Sequence, residues 1–140
     1  MDHVWSTVAE EGNLMLAAKV EVDGAIFSGN PKETIDAYLD AAVNKTAAMG
    51  EADVQIRLRQ VLQHPTGYYQ AHIQTKHLFD AAVVYDGRVV YGPWLEGVDK
   101  RNKTTRFKGY ATFRRVRDLL AVKAQVIADQ LMDQYIRRLR

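Results

Sequence analysis

Histidine side chains are the residues of this sequence best suited to bind a metal ion or to transfer a proton near neutral pH. The chain contains four, His3, His64, His72 and His77, and it contains no cysteine. His72 and His77 are an odd number of positions apart, so on one strand they would face opposite sides of a sheet. A tetrahedral zinc site needs three or four converging ligands. The sequence therefore predicts no metal site, and without cysteine it has neither disulfides nor thiolate ligands.

Carboxylate and hydroxyl side chains give no catalytic pattern either. Glu96 is the one carboxylate beside a conspicuous cluster, and its basic neighbours favour a structural ion pair with an arginine over general acid catalysis. Ser6 and Ser28 lack the context of a nucleophile elbow. Gly92 and Gly97 do not have the spacing of a phosphate-binding loop. We therefore predict no catalytic residue, no cofactor and no enzymatic activity. A small hydrolase or nuclease with an unfamiliar site, to be tested at Glu96, His64 and His72, remains an alternative.

Positive charge is concentrated in one part of the chain, residues 97–117, which we call the basic segment. It contains a single acid, Asp99, against eight basic side chains: Lys100, Arg101, Lys103, Arg106, Lys108, Arg114, Arg115 and Arg117. Residues 1–96 carry seven basic and thirteen acidic side chains, whereas residues 118–140 have a net charge of +1. The net charge of +2 thus conceals a polarised molecule that is suited to contact something negative.

Three interpretations of the basic segment remain open at this stage. It is a solvated surface loop, a nucleic-acid footprint, or a surface that docks onto the acidic part of another copy. The aromatic residues Phe107 and Tyr110 lie between the charges, and they argue against a merely solvated surface loop. Trp94, at the end of a predicted strand, is either buried or an interface anchor. High charge and few large apolar residues are also compatible with a loop that orders only on assembly.

The length of 140 residues predicts one domain, residues 1–140. Residues 1–13 are either an N-terminal arm or part of a first helical turn. Alternating apolar positions predict a strand over residues 14–22. Asn30 and Pro31 are typical of a helix start, and an apolar stripe follows them to Leu62. Gly50 falls within that stripe and makes a bend or a break there an alternative.

The second half of the chain predicts a strand meander and a terminal helix. Strand-like residues occupy 68–77 and 78–86, and Asp86-Gly87 before residues 88–91 predicts a tight two-residue hairpin. Helical spacing then continues from Phe113 to Leu139. The predicted fold class is α+β: a small antiparallel sheet of about four strands, packed by a central helix and a long C-terminal helix.

One stretch of the chain resembles a known protein family. The segment VVYGPWLEGVDKRNKTTRFKGYATFRRV is similar to the C-terminal motif of tail-completion proteins from long-tailed bacteriophages. The His64–Tyr69 entry to a strand and Phe27-Ser28-Gly29 before a helix extend the similarity over roughly residues 20–120. The residues in matching places are Tyr91, Trp94, Leu95, Glu96, Gly97, Arg106, Phe107, Phe113 and Arg114.

The resemblance implies a virion structural protein of the head-to-tail interface, a tail-completion or tail-terminator subunit that joins the tail tube to the neck. It implies a hexameric ring next to a head-closure or connector protein and the major tail tube protein, with transient contact with genomic DNA. Residues 97–109, which we call the basic loop, would serve in assembly. The expected interface residues are Tyr91, Trp94, Leu95, Glu96, Lys100, Arg101, Lys103, Arg106, Phe107, Lys108 and Arg114. The alternative is a nucleic-acid-binding protein that uses residues 100–117.

The expected location follows from the same resemblance. We expect the protein in the virion neck or tail, and in the host cytoplasm during assembly. No apolar run approaches the roughly 20 residues that span a bilayer, so no membrane contact is expected. The N-terminal residues also lack the basic and apolar regions of a signal peptide.

Overall fold

The computed structural model describes the backbone of residues 2–10, 13–21 and 32–139 and the side chains of residues 32–137. Its strands are β1 (Asp2–Glu10), β2 (Asn13–Glu21), β3 (Gln74–His77) and β4 (Ala81–Tyr85). Its helices are α1 (Lys32–Val61), α2 (Tyr68–Ala71), α3 (Gly92–Glu96), α4 (Lys100–Thr104) and α5 (Thr112–Leu139). The predicted α+β class is confirmed.

The strands are arranged in the order β1-β2-β4-β3, and each neighbouring pair is antiparallel. β1 lies within residues 1–13, for which the sequence allowed either an N-terminal arm or part of a first helical turn. β2 coincides closely with the strand predicted over residues 14–22, and it pairs with β4 from Met15↔Tyr85 to Lys19↔Ala81. β3 is a short edge strand whose side chains are mostly exposed.

The two long helices pack against each other in opposite directions. Near the start of α1, Tyr38 and Ala42 lie in a cluster with Ile127 and Leu131 of α5. The C-terminal half of α1 joins the N-terminal half of α5 in the main core, through Val54, Leu58, Phe113, Val116 and Leu120. α1 also packs on β2, β3 and β4, and α5 on β1 and β2, so the helices form a layer on the sheet.

The helical stripe predicted from the sequence matches the buried face of α1. Its buried residues include Tyr38, Ala42, Val43 and Thr46. α1 runs through Gly50 without the break that the sequence left open, and Gly50 is itself buried. The predicted Asn30 cap and the Phe27–Gly29 match lie outside the residues that the structure describes.

The tight hairpin predicted at Asp86-Gly87 is wrong. Positive φ does occur, at Gly87 (64°) and Arg88 (63°), but no strand follows. Asp86 is completely buried and accepts hydrogen bonds from the Tyr69 hydroxyl (3.3 Å) and the Arg88 backbone N–H (3.1 Å). The hydrogen bonds of this buried carboxylate hold the turn inside the protein. The chain therefore does not form an exposed hairpin tip at this point.

Of two neighbouring predictions, one is confirmed only in part and the other is wrong. The strand predicted over residues 68–77 begins as the short helix α2 and becomes extended only at Gln74. Residues 88–91 are not a strand, because the buried Val89 anchors a turn in which its carbonyl accepts from the Gly92 N–H at 2.9 Å. Pro93 then lies in the first turn of α3, a position that suits its fixed φ and missing N–H.

Candidate assembly surface

The basic loop is closed at its base by two glycines, Gly97 and Gly109. Both have positive φ, 98° and 88°, and a Cβ on Gly109 would overlap the Gly97 backbone. Next to them the Tyr110 N–H donates to the Leu95 carbonyl at 2.6 Å and the Ala111 N–H donates to the Glu96 carbonyl at 3.2 Å. The loop is thus a compact excursion with its two ends joined.

A short capped helix forms the middle of the basic loop. The Asp99 side chain accepts from the Arg101 backbone N–H at 2.8 Å, and the Asn102 side chain accepts from the Asp99 N–H at 3.0 Å. This reciprocal pair is a capping box for α4. Hydrogen bonds from the side chain and backbone of Arg101 hold the pKa of Asp99 below its ordinary value. The middle of the loop is therefore held in shape by its own hydrogen bonds.

Asn102 is the residue of this region that sequence reasoning missed. It is buried, and its side-chain NH₂ group donates to the carbonyls of Trp94 (3.1 Å) and Phe107 (3.2 Å). It thereby ties α4 to both sides of the loop. Its position three residues after Asp99 is the spacing of a capping box, and that signal was present in the sequence.

Glu96 lies beneath the surface that was expected to include it. It is 2% exposed and accepts from the backbone N–H groups of Phe113 and Arg114, each at 3.0 Å. The Arg114 guanidinium lies 3.6 Å from the same carboxylate, which places the arginine partner predicted for Glu96 beside it. Burial raises the pKa of Glu96, although these hydrogen bonds and the guanidinium oppose that shift. Glu96 thus anchors the first turn of α5 and supports the surface from within.

An aromatic stack connects α3 to the far side of the loop. The ring centroids of Trp94 and Phe107 are 5.1 Å apart, and those of Phe107 and Tyr110 are 5.0 Å apart. The Arg101 guanidinium lies over the indole of Trp94, 5.1 Å from its centroid. All three rings are half-buried, so Trp94 both packs internally and keeps part of its ring accessible.

Four of the eight basic side chains have partners within the protein. Arg101 is paired with Asp99, Arg114 with Glu96 and Arg117 with Asp118. The Lys108 Nζ atom donates to the carbonyls of Asn102 and Lys103, at 2.9 Å and 3.3 Å. These four contribute to the fold of the basic segment as well as to its charge.

The other four basic side chains are exposed and have no hydrogen-bond or ion-pair partner for their charged groups in the described part of the chain. They are Lys100, Lys103, Arg106 and Arg115. Three of them belong to the basic loop. The backbone that carries these side chains therefore has a defined shape, and their positive charges are available to a negatively charged partner.

Tyr91 and Leu95 complete the set of expected interface residues. Tyr91 is 39% exposed and its ring lies 5.8 Å from that of Tyr69, whereas Leu95 is half-buried against the main core. Of the expected set, Lys100, Arg101, Lys103, Arg106, Lys108 and Arg114 are exposed, while Trp94 and Phe107 are partly accessible.

The structure gives His72 and His77 separate environments. His72 stacks on Tyr68, and its Nδ1 atom lies 2.7 Å from the Tyr68 carbonyl, while His77 is exposed on β3. Within the described ranges, no three side chains of the types that ligate metals come together. No helix in those ranges has the length and apolar character needed to cross a membrane.

Comparisons with known proteins give no relative. No protein-family model matches the chain, and neither a curated protein nor a solved structure is significantly similar to it.

Proposed function

We propose that this protein is a structural subunit of the phage head-to-tail interface, a tail-completion or tail-terminator protein that forms a ring between the tail tube and the neck. The observation that carries the proposal is the folded basic loop. It presents Lys100, Lys103 and Arg106 as exposed cations, and its Phe107 ring packs on Trp94 with both rings partly accessible. Charge around an aromatic anchor is typical of protein interfaces.

The interior of the site supports an assembly role over a catalytic one. Two of its buried polar side chains, Glu96 and Asn102, form hydrogen bonds with backbone groups of the same chain. Their hydrogen bonds hold a surface in shape. The resemblance of residues 91–114 to tail-completion proteins gives the proposal its biological setting, including the connector and tail-tube partners and the hexameric ring.

The test is self-association together with tail joining. Purified protein should form rings that are visible by electron microscopy and have a defined mass by light scattering. The double variant Lys103→Glu/Arg106→Glu should weaken ring formation without unfolding the chain. The matched control is Lys45→Glu/Lys76→Glu, which reverses two exposed lysines outside the basic segment and should assemble normally.

A complementation assay addresses the biological role. Extracts that contain heads and tails but lack this protein should form joined particles when wild-type protein is added, and not when the Lys103→Glu/Arg106→Glu variant is added. A protein that stays monomeric at every concentration tested and also fails to join heads and tails would contradict the proposal.

The second candidate is a nucleic-acid-binding protein. The same exposed cations favour it, because phosphate contacts need accessible Lys and Arg side chains. Binding to duplex or single-stranded DNA at about 50 mM salt distinguishes it, since electrostatic contacts with phosphates are strong at low ionic strength. An absence of binding under those conditions removes this candidate.

A further inference from the structure

We propose that a groove between the first turns of α1 and the β3–β4 turn is the docking site for the basic loop of a second copy of this chain. The inference rests on the ring assembly proposed above and names the surface that would receive the loop. It is carried by three features: the lining of the groove, its place in the fold, and its complementarity to the basic loop.

The groove has an apolar wall and an acidic rim. Its volume is about 310 Å³, and its acidic lining residues are Asp36, Asp40 and Asp80. Asp36 is paired with Lys32 at 2.7 Å. The carboxylates of Asp40 and Asp80 have no hydrogen-bond or ion-pair partner among the residues that the structure describes. Two carboxylates are thus available to an incoming cation.

The apolar side of the groove ends in a phenylalanine that is open to solvent. Phe79 is 99% exposed and its neighbour Leu78 is 49% exposed. Both lie in the turn between β3 and β4, where the Leu78 N–H donates to the Ala81 carbonyl at 2.7 Å. A phenylalanine gains much by burial, so a turn that presents one fully to water beside a leucine is suited to contact a partner.

The groove and the basic loop lie at opposite ends of the helix pair. Asp40 is near the start of α1, whereas Leu58 of α1 contacts the core near the start of α5, next to the basic loop. At 1.5 Å per residue, about 27 Å of helix separates Asp40 from Leu58. The loop of one chain therefore cannot fill its own groove, and a basic loop that fills it belongs to another molecule.

The two surfaces match in charge and in apolar character. Among the residues that the structure describes, Lys103 and Arg106 form no ion pair, and neither do Asp40 and Asp80. Phe79 has a counterpart in the half-buried rings of Trp94 and Phe107. Two different patches that bind one another form a head-to-tail contact, and this type of contact closes into a ring when the rotation permits.

Charge reversal tests the pairing directly. Asp40→Lys/Asp80→Lys should weaken self-association by at least about tenfold, since like charges would then face each other. The quadruple variant Asp40→Lys/Asp80→Lys/Lys103→Glu/Arg106→Glu should assemble again, because both sides are exchanged. Urea midpoints equal to that of the wild-type protein show that each variant is folded, as expected for exposed side chains without partners.

Cross-linking locates the contact independently of its strength. The chain has no cysteine, so introduced cysteines are the only thiols. An equimolar mixture of Asp80→Cys and Arg106→Cys proteins, treated with a short thiol-specific cross-linker, should give a dimer of one chain of each kind. A mixture of Gln60→Cys and Arg106→Cys proteins is the control and should give little product, because Gln60 is exposed in the last turn of α1, far from the groove.

The outcomes separate this inference from the proposed function. Rings that form normally with reversed groove charges, without the 80–106 cross-link, would overturn the groove as the docking site and leave the ring subunit in place. A chain that never self-associates and never joins heads and tails would overturn both. Preferential binding of the basic loop to DNA or to another protein, with no cross-link between copies, would also overturn the inference.

Discussion

Gly97 and Gly109 lie in backbone contact at the base of the basic loop, so the two ends of a highly charged excursion are held together. Both residues have φ values that favour glycine. The contact fixes where the loop leaves α3 and where it enters α5. The exposed cations of the loop are consequently carried on a backbone of defined shape.

The first prediction concerns this glycine contact. Gly109→Ala should lower the free energy of unfolding by about 2–5 kcal/mol, because it adds both left-handed strain and a steric overlap with Gly97. Gly67→Ala is the matched control. Gly67 has a similar φ of 83°, but a Cβ there would have no atom within 4 Å. Its cost should be about 1–2 kcal/mol, the strain alone. Equal losses for both variants, measured by urea denaturation, would contradict the steric contact.

The second prediction concerns the anchor of α5. Glu96→Gln removes the charge and one of the two oxygens that accept from the Phe113 and Arg114 backbone N–H groups. One buried N–H then loses its partner, so the variant should be less stable by about 1–3 kcal/mol at neutral pH. Glu33→Gln, which changes an exposed carboxylate in the first turn of α1, is the control and should cost much less.

The third prediction is a pH dependence with an unusual sign. Burial raises the pKa of Glu96 above its ordinary value of 4.5, so the folded protein binds a proton there more readily than the unfolded chain does. The proton-linked part of Glu96's contribution to stability, which is separate from its hydrogen bonds to α5, is therefore complete below 4.5 and is lost as pH rises through its folded pKa. Relative to Glu96→Gln, the wild-type protein should gain stability as the pH falls from 7 toward 4.5. A constant or shrinking difference in chemical denaturation curves over that range would show that the pKa is not raised.

The parts of the fold that could be predicted are those in which local pattern and burial agree. α1 and α5 keep apolar residues at helical spacing over many turns, and those residues are the buried ones. β2 was predictable because its alternation has the period of a strand. Long regular elements contain enough repeated signal to outweigh a single exception such as Gly50.

The parts that could not be predicted depend on contacts between distant residues. Asp86-Gly87 has the local chemistry of a hairpin tip, but Tyr69 provides a buried partner for Asp86 and the turn stays inside the protein. A charge count likewise treats all cations alike. Only the structure shows that Arg114 is paired with the buried Glu96, whereas Arg106 has no ion-pair partner in the described part of the chain.

The fourth prediction concerns the ion pair between the long helices. The Lys123 Nζ atom of α5 donates to Asp53 of α1 at 2.6 Å, and the two side chains are 43% and 20% exposed. A double-mutant cycle with Asp53→Asn and Lys123→Gln should give a coupling energy of about 1 kcal/mol. The Lys32–Asp36 pair, which is 80% and 54% exposed, should give a much smaller coupling energy and lose it in high salt. A larger coupling for the exposed pair would contradict the role of Lys123 in fastening α5 to α1.

The fifth prediction uses salt dependence to measure how many cations are available to an anionic partner. If all eight basic side chains of the basic segment met DNA phosphates, log affinity would fall with log salt at a slope of about −7, whereas the four without internal partners would give about −3.6. We expect any DNA binding by the wild-type protein to follow the shallower slope, because Arg101, Lys108, Arg114 and Arg117 are already engaged.

Lys103→Gln/Arg106→Gln should reduce the slope by about 2 further, and Lys45→Gln/Lys76→Gln should leave it unchanged. Fluorescence anisotropy of labelled duplex DNA over about 50–200 mM salt makes the measurement. A slope near −7 would mean that the internal pairs open on binding, and would favour nucleic acid over a second copy of the chain as the partner of the basic loop.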